Sequence, residues 1–125
     1  MATEFLVRLP DRAGELGKLA ATFGAAKVQL RGIAAQKGVV GILVADKDAA
    51  KARRALKKAK YRATEHATIE MRLKDRPGSL GNTAGRFGKK KVNITSMYVL
   101  APGRVNVGVA FGVKDARKAK KALGR

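Results

Sequence analysis

The sequence predicts an α+β protein made of two copies of one β-α-β-β-α-β unit, and three observations lead there. Leu9-Pro10-Asp11-Arg12-Ala13-Gly14-Glu15-Leu16 returns 64 residues later as Leu73-Lys74-Asp75-Arg76-Pro77-Gly78-Ser79-Leu80. At the same offset Gly17/Gly81, Ala20/Ala84, Phe23/Phe87, Gly24/Gly88, Lys27/Lys91 and Val28/Val92 coincide, and after three inserted residues near Pro102 the offset becomes 67, at which Val40/Val107, Gly41/Gly108, Lys47/Lys114, Asp48/Asp115, Ala49/Ala116, Lys51/Lys118, Ala52/Ala119, Ala55/Ala122 and Leu56/Leu123 match. One unit written twice fixes every later assignment. Finally, within each copy the apolar spacing switches repeatedly between a period of two, which suits strands, and the i, i+3, i+4, i+7 spacing of an amphipathic helix.

In chain order, Glu4 to Leu9 alternates, with Phe5, Val7 and Leu9 on one side, and reads as the first strand. The Asp-Arg-Ala-Gly-Glu turn leads into Leu16, Leu19, Ala20 and Phe23, a short amphipathic helix that Gly24 is placed to cap. Val28 to Ala35 and Val39 to Ala45 form the next two strands, joined by a turn through Gln36 to Gly38. Asp48 is a suitable N-cap for a helix carrying Ala52, Ala55, Leu56 and Ala59 on one face. A weak strand, Tyr61 to Glu65, closes the unit, and His66 reads as a linker residue. The second copy follows the same order: strand Thr68 to Leu73, a helix with Leu80, Ala84 and Phe87, then strands Val92 to Leu100 and Val105 to Val113. Pro102-Gly103 between those strands suits a type II turn. Asp115 opens a final basic helix, and the sequence stops at Arg125 with no residues for a last strand. The expected units are residues 1–66 and 67–125, each a ferredoxin-like sandwich with helices on one sheet face.

With Asp75-Arg76-Pro77-Gly78-Ser79-Leu80 followed by Val92-Asn93-Ile94, the unit resembles the ACT domain, the regulatory module of many amino-acid-metabolism enzymes. The resemblance covers nearly the whole chain, twice. It implies a stand-alone tandem ACT protein of the amino-acid-binding regulatory type, with the ligand held between this loop and the start of a neighbouring domain's second strand. The first copy departs from the pattern at Ala13, where Pro is usual, and at Gln29-Leu30, where Asn-Ile is usual. Ligand-binding residues carried over are Asp75, Arg76, Gly78, Ser79, Leu80, Asn93 and Ile94, and their first-copy counterparts Asp11, Gly14, Leu16, Gln29 and Leu30.

Physical chemistry gives the same residues a role without the family. Gly14 and Gly78 open helices whose unpaired N–H groups and positive dipole end favour a carboxylate or phosphate. Pro77 suits a first helical turn. Asp11 and Asp75 beside them are placed to hold an ammonium group, which makes a cradle for a zwitterion. The competing reading is that Asp-x-x-Gly is turn and capping chemistry that serves folding alone.

Composition excludes much. The sequence has no cysteine and one histidine, so neither a disulfide framework nor a zinc site is expected. Units of this size are marginal alone, so the two are expected to be mutually dependent. The longest apolar run, Gly38 to Ala45, is too short to span a bilayer, and the N-terminus enters a strand at once, so a cytoplasmic protein is expected. The net charge of +19 attracts polyanions, but it is spread: residues 1–64 carry 14 basic and 5 acidic side chains, and the remainder carry 14 and 4. The dense clusters at Lys51 to Lys60 and Arg117 to Lys121 read as solvated helix faces.

The leading expectation is a non-catalytic regulatory protein in which an amino acid bridges ACT units, without cofactor or metal, in a homo-oligomer and away from membranes. A nucleic-acid-binding protein is the alternative, because RNA-recognition domains share the element order. Such domains need aromatics on the third strand, and Val105 to Phe111 offers only Phe111. A purely structural oligomerisation module is the third reading. No nucleophile-base pair or phosphate-cradling loop points to an enzyme.

Overall fold

The computed structural model describes residues 2–124. Its elements are β1 (Ala2–Arg8), α1 (Glu15–Ala25), β2 (Leu30–Gln36), β3 (Val39–Ala45), a 3-10 turn at Asp46–Asp48, α2 (Ala49–Lys58), β4 (Ala63–Lys74), α3 (Ser79–Lys89), β5 (Ile94–Pro102), β6 (Asn106–Val113) and α4 (Ala116–Ala122). The α+β class and the tandem of ferredoxin-like units hold, with no strand after α4 among the described residues. The chain divides into two compact units, one spanning Ala2–Glu65 and one beginning at His66. The expected strand at Tyr61 to Glu65 and the one at Thr68 to Leu73 are a single strand, β4. Nothing between Thr64 and Ile69 breaks an extended chain, since no Gly or Pro intervenes. His66 is therefore a half-buried strand residue rather than a linker.

In the first unit the strand order is β2-β3-β1, antiparallel throughout, with Phe5 opposite Ile42 and Ile33 opposite Ile42 on the other side. Phe5 and Val7 of β1, Val40, Ile42 and Val44 of β3, Leu19 and Phe23 of α1, and Ala52 and Leu56 of α2 form one core. In the second unit the order is β4-β6-β5, with Ile69, Leu73, Phe87, Val109, Phe111 and Val113 in the core. The Phe111 ring stands where the first unit has Val44, and meets Phe87 edge-on with centroids 5.5 Å apart and planes at 66°. That pairing adds roughly 0.5–1.5 kcal/mol beyond area burial. It also removes Phe111 from solvent, so the aromatic that base stacking would need faces the helices.

Three helices end in the same way. Val28, Tyr61 and Val92 donate back to the carbonyls of Phe23, Leu56 and Phe87 at 3.0, 2.9 and 2.9 Å. The preceding Lys27, Lys60 and Lys91 take left-handed φ of 58°, 64° and 58°. This is the Schellman arrangement, accompanied by an apolar contact across it. It explains two differences from expectation: Gly24 lies inside α1 rather than capping it, and Val28 and Val92 are spent on helix ends, so β2 and β5 begin at Leu30 and Ile94.

The β2–β3 hairpin turns through Lys37 and Gly38, both at positive φ (48° and 80°), as the twist of a two-residue turn demands. A side chain at Gly38 would also meet the Leu9 carbonyl oxygen at 2.5 Å. The β5–β6 hairpin differs from expectation. Gly103 is not at positive φ, so no type II turn forms; its N–H donates to the Asn106 carbonyl at 2.6 Å. Glycine is favoured there by crowding, because an added Cβ would lie 2.9 Å from the Asn106 carbonyl oxygen; the Arg72 guanidinium, at 2.6 Å, is the end of a flexible side chain and can move aside. Arg72, opposite Gly108 on β4, reaches across and donates to the Asn106 carbonyl at 3.3 Å. Asp115 caps α4 as expected, accepting from Lys118 N–H at 3.0 Å, whereas Asp48 makes no capping bond because the 3-10 turn has already set its backbone.

Candidate functional site

The two octapeptides fold identically. In each, a turn closes with Arg12 N–H on the Pro10 carbonyl (3.0 Å) or Arg76 N–H on the Lys74 carbonyl (2.9 Å), and the N-caps Gly14 and Gly78 share φ of 90°. The left-handed backbone alone requires glycine, since a Cβ at either position would meet nothing within 4 Å. Space beside both helix starts is therefore open. Pro77 sits one residue before the N-cap, since α3 starts at Ser79. Each loop is tied to the facing hairpin tip: Leu9 N–H donates to Gly38 at 2.6 Å, and Asp75 N–H to Val105 at 2.9 Å. In the first unit this leaves a pocket of about 170 Å³ lined by Asp11, Leu16, Gln36 and Gly38 among others.

The copies differ in what fills the helix start. Neither helix has a side-chain cap. In α1 the buried Glu15 takes the Arg12 guanidinium at 3.1 Å and the Lys18 ammonium at 3.7 Å, placing a carboxylate of the chain's own at the positive end of the helix. In α3 that position is Ser79, the Lys18 counterpart is Asn82, and the Arg76 side chain has no hydrogen-bond or ion-pair partner among the described residues. The N–H groups of Leu80 and Gly81 lie in the first turn, before the helix's own bonds begin. The second copy is thus the one whose anion-attracting groups are unanswered. Sequence reasoning ranked the copies by their Pro and Asn-Ile positions and passed over Glu15 against Ser79, although that difference stands inside the matched octapeptide.

Asp11, Arg12, Gly14 and Leu16 come together at one end of the first unit, and Asp75, Arg76, Gly78, Ser79 and Leu80 at the equivalent end of the second. Gln29 with Leu30, and Asn93 with Ile94, do not join them within a unit. The loops neighbour the hairpin tips, which follow β2 and β5, whereas these pairs stand at the opposite ends, Leu30 and Ile94 being the first residues of those strands. Six residue steps in β2 and eight in β5, at ~3.3 Å each, separate the ends by about 20 and 26 Å. Gln29 spends its amide on the Leu30 carbonyl at 3.2 Å, while Asn93 is exposed with no side-chain partner among the described residues. Leu16 and Leu80 remain 43% and 45% exposed, and Ile33 and Val99, which face Ile42 and Val109 at equivalent register on the outer strands, are 49% and 67% exposed. Met97, two residues before Val99 on the same strand, packs against the second core.

Among the described residues no three His, Cys, Asp or Glu side chains group as metal ligands, and no helix is long and apolar enough to cross a membrane. No protein-family model matches the chain, and no curated protein sequence matches it. Solved structures do. A Bacteroides thetaiotaomicron protein superposes with a TM-score of 0.78 at 21% identity, over 98% of this chain and 85% of that one. The regulatory subunit of aspartate kinase from Thermus thermophilus, in its ligand-free form, gives 0.74 at 15% identity over 98% and 89%. The corresponding subunit from Thermus flavus gives 0.71 at 16% over 98% and 90%. The tandem ACT-type fold is therefore shared with regulatory subunits of aspartate kinase.

Proposed function

We propose that the chain is a non-catalytic regulatory protein of the cytoplasm, with ACT units at residues 1–66 and 67–125, that binds an amino acid through its second unit and works as a homodimer. Asp75 would hold the ammonium group. Arg76 and the N–H groups of Leu80 and Gly81 would hold the carboxylate, over Gly78 and Ser79. Asn93 and Ile94 of a neighbouring unit would complete the site, since Asn93 offers both a donor and an acceptor. The observation that carries the reading is the contrast between Glu15, which answers Arg12 internally, and Ser79, which leaves Arg76 unanswered. The first-copy set Asp11, Gly14, Leu16, Gln29 and Leu30 is the weaker site on the same ground. The regulatory role is supported by the likeness to aspartate kinase regulatory subunits, and the dimer by exposed Ile33 and Val99 on outer strands. Burial of Phe111 speaks against an RNA-recognition module.

The test is a thermal-shift screen of the purified protein against the twenty amino acids, since a ligand bound only to the native state raises Tm by mass action. Replacing Gly78 by a bulky residue, or Asn93 by Ala, should abolish or weaken the shift, with smaller effects at Gly14 and Gln29. A monomer by light scattering at tens of micromolar would reject the dimer. If both second-copy variants keep the parent's ligand-induced shift, the site is misplaced.

A further inference from the structure

A second recess lies within the first unit, between the end of β1 and the segment joining α2 to β4, adjoining the smaller pocket at Leu9 and Pro10. It encloses about 750 Å³, inside the ~300–1,000 Å³ usual for small-molecule sites. Its walls are of two kinds. Leu6, Pro10 and the half-buried Tyr61 ring supply apolar surface, and Arg8, Lys60 and Arg62 supply three cations. No acidic residue lines it. The Arg8, Lys60 and Arg62 side chains have no hydrogen-bond or ion-pair partner among the described residues, and the nearby carboxylate of Glu65 is engaged by both Nε and Nη2 of Arg53. The recess is held open by the helix end: Lys60 takes its left-handed φ and Tyr61 N–H donates back to Leu56, which turns the chain sharply out of α2 and presents Lys60, Tyr61 and Arg62 in succession. The repeat does not reproduce it, since Arg72, the counterpart of Arg8, is committed to the Asn106 carbonyl.

We infer that this recess binds a small organic anion with a flat apolar body, a carboxylate or phosphate ester of an aromatic group, whose ring packs on Tyr61, Leu6 and Pro10 while Arg8 and Arg62 hold its oxygens. Two guanidinium groups suit this because each presents a planar fork that matches carboxylate and phosphate oxygens. The site is independent of the amino-acid site proposed above, so either can fail alone.

The experiment follows backbone amide shifts of the full chain by NMR at about 0.15 M salt, where long-range attraction is screened. The probes are 2-naphthoate, 2-naphthyl phosphate, neutral 2-naphthamide and inorganic phosphate. Shifts centred on Leu6 and Tyr61 to Thr64 are expected with the two naphthyl anions, and whichever binds tighter identifies the acid class. The amide should bind about tenfold or more weakly, inorganic phosphate alone should leave these amides unmoved, and R8Q or R62Q should each weaken the anion about tenfold or more with Tm unchanged, as loss of one charged hydrogen-bond partner predicts. Equal binding of the amide, insensitivity to both substitutions, shifts scattered over the basic helix faces, or movement of these amides by a DNA duplex but not by the naphthyl anions would each overturn the inference.

Discussion

Exchanging the residues that distinguish the two helix starts should exchange their properties. Ser79→Glu places in α3 the carboxylate that α1 already has. Glu15 meets Arg12 at 3.1 Å, and with identical loop geometry a glutamate at position 79 reaches Arg76 in the same way. The Arg12 side chain is 70% exposed, so the pair itself contributes only about 0.2–1 kcal/mol, and a carboxylate in a first helical turn adds about 0.3–1 kcal/mol. Together they stabilise the free protein by about 1 kcal/mol, or roughly 4 °C in Tm for a chain of this size. The same substitution should remove the amino-acid response, because the ligand's carboxylate would then meet a fixed negative charge. Glu15→Ser should cost about 1 kcal/mol or somewhat more, since Lys18 loses its partner too. Differential scanning calorimetry of parent and variants, with and without whichever amino acid shifts the parent, measures both effects. A Ser79→Glu protein that keeps the parent's ligand shift, or a Glu15→Ser protein as stable as the parent, refutes the reasoning.

Three other outcomes are expected. Lys27→Gly, Lys60→Gly and Lys91→Gly should each stabilise the fold by ~0.5–1 kcal/mol by relieving a left-handed backbone, read as a higher urea midpoint at unchanged slope, whereas alanine at the same positions should not. Phe111→Ala should destabilise by ~3–5 kcal/mol, clearly more than Val44→Ala at the equivalent position, because it empties a ring-sized space and removes the contact with Phe87. Arg53 holds the Glu65 carboxyl below the usual carboxylate range through direct hydrogen bonding, so the unfolded chain binds that proton more readily than the folded one. The stabilisation is therefore present at neutral pH and fades as pH falls through the lowered value; Glu65→Gln should melt slightly earlier than the parent at pH 7 and converge with it in acid, as followed by circular dichroism.

Element types and the repeat were legible because apolar spacing and Asp-x-x-Gly loops are local signals, and β3 was placed residue for residue at Val39–Ala45. What escaped the sequence was set by backbone contacts that apolar spacing does not report. Val28 and Val92 alternate like strand residues, yet they fold back on Phe23 and Phe87 to close helices. Gly103 looked like a type II turn glycine, whereas its φ is not positive and what it accommodates is the close approach of the Asn106 carbonyl across the hairpin. The candidate ligand loops were legible, and the strand starts with Gln29 and Asn93 were assigned to a neighbouring domain's side of the site. Only the topology shows that each pair lies at the opposite end of its strand.

The unbroken run of β4 from Ala63 to Lys74 makes the repeat boundary an unsuitable place to cut. A duplicated gene ordinarily leaves a seam that tolerates insertion, proteolysis or circular permutation, because backbone there is exposed and unbonded. Here the seam falls inside a strand, at Glu65-His66, and the nearest basic residues that trypsin would recognise are Arg62 before it and Arg72 after it. Truncation at the boundary would leave one product with a three-residue stub of strand and deprive the other of none of the residues that face β6, which run from Thr68 to Lys74. Dissection is therefore asymmetric: a fragment beginning near Ala63 keeps its strand whole, while a fragment ending there loses its final one.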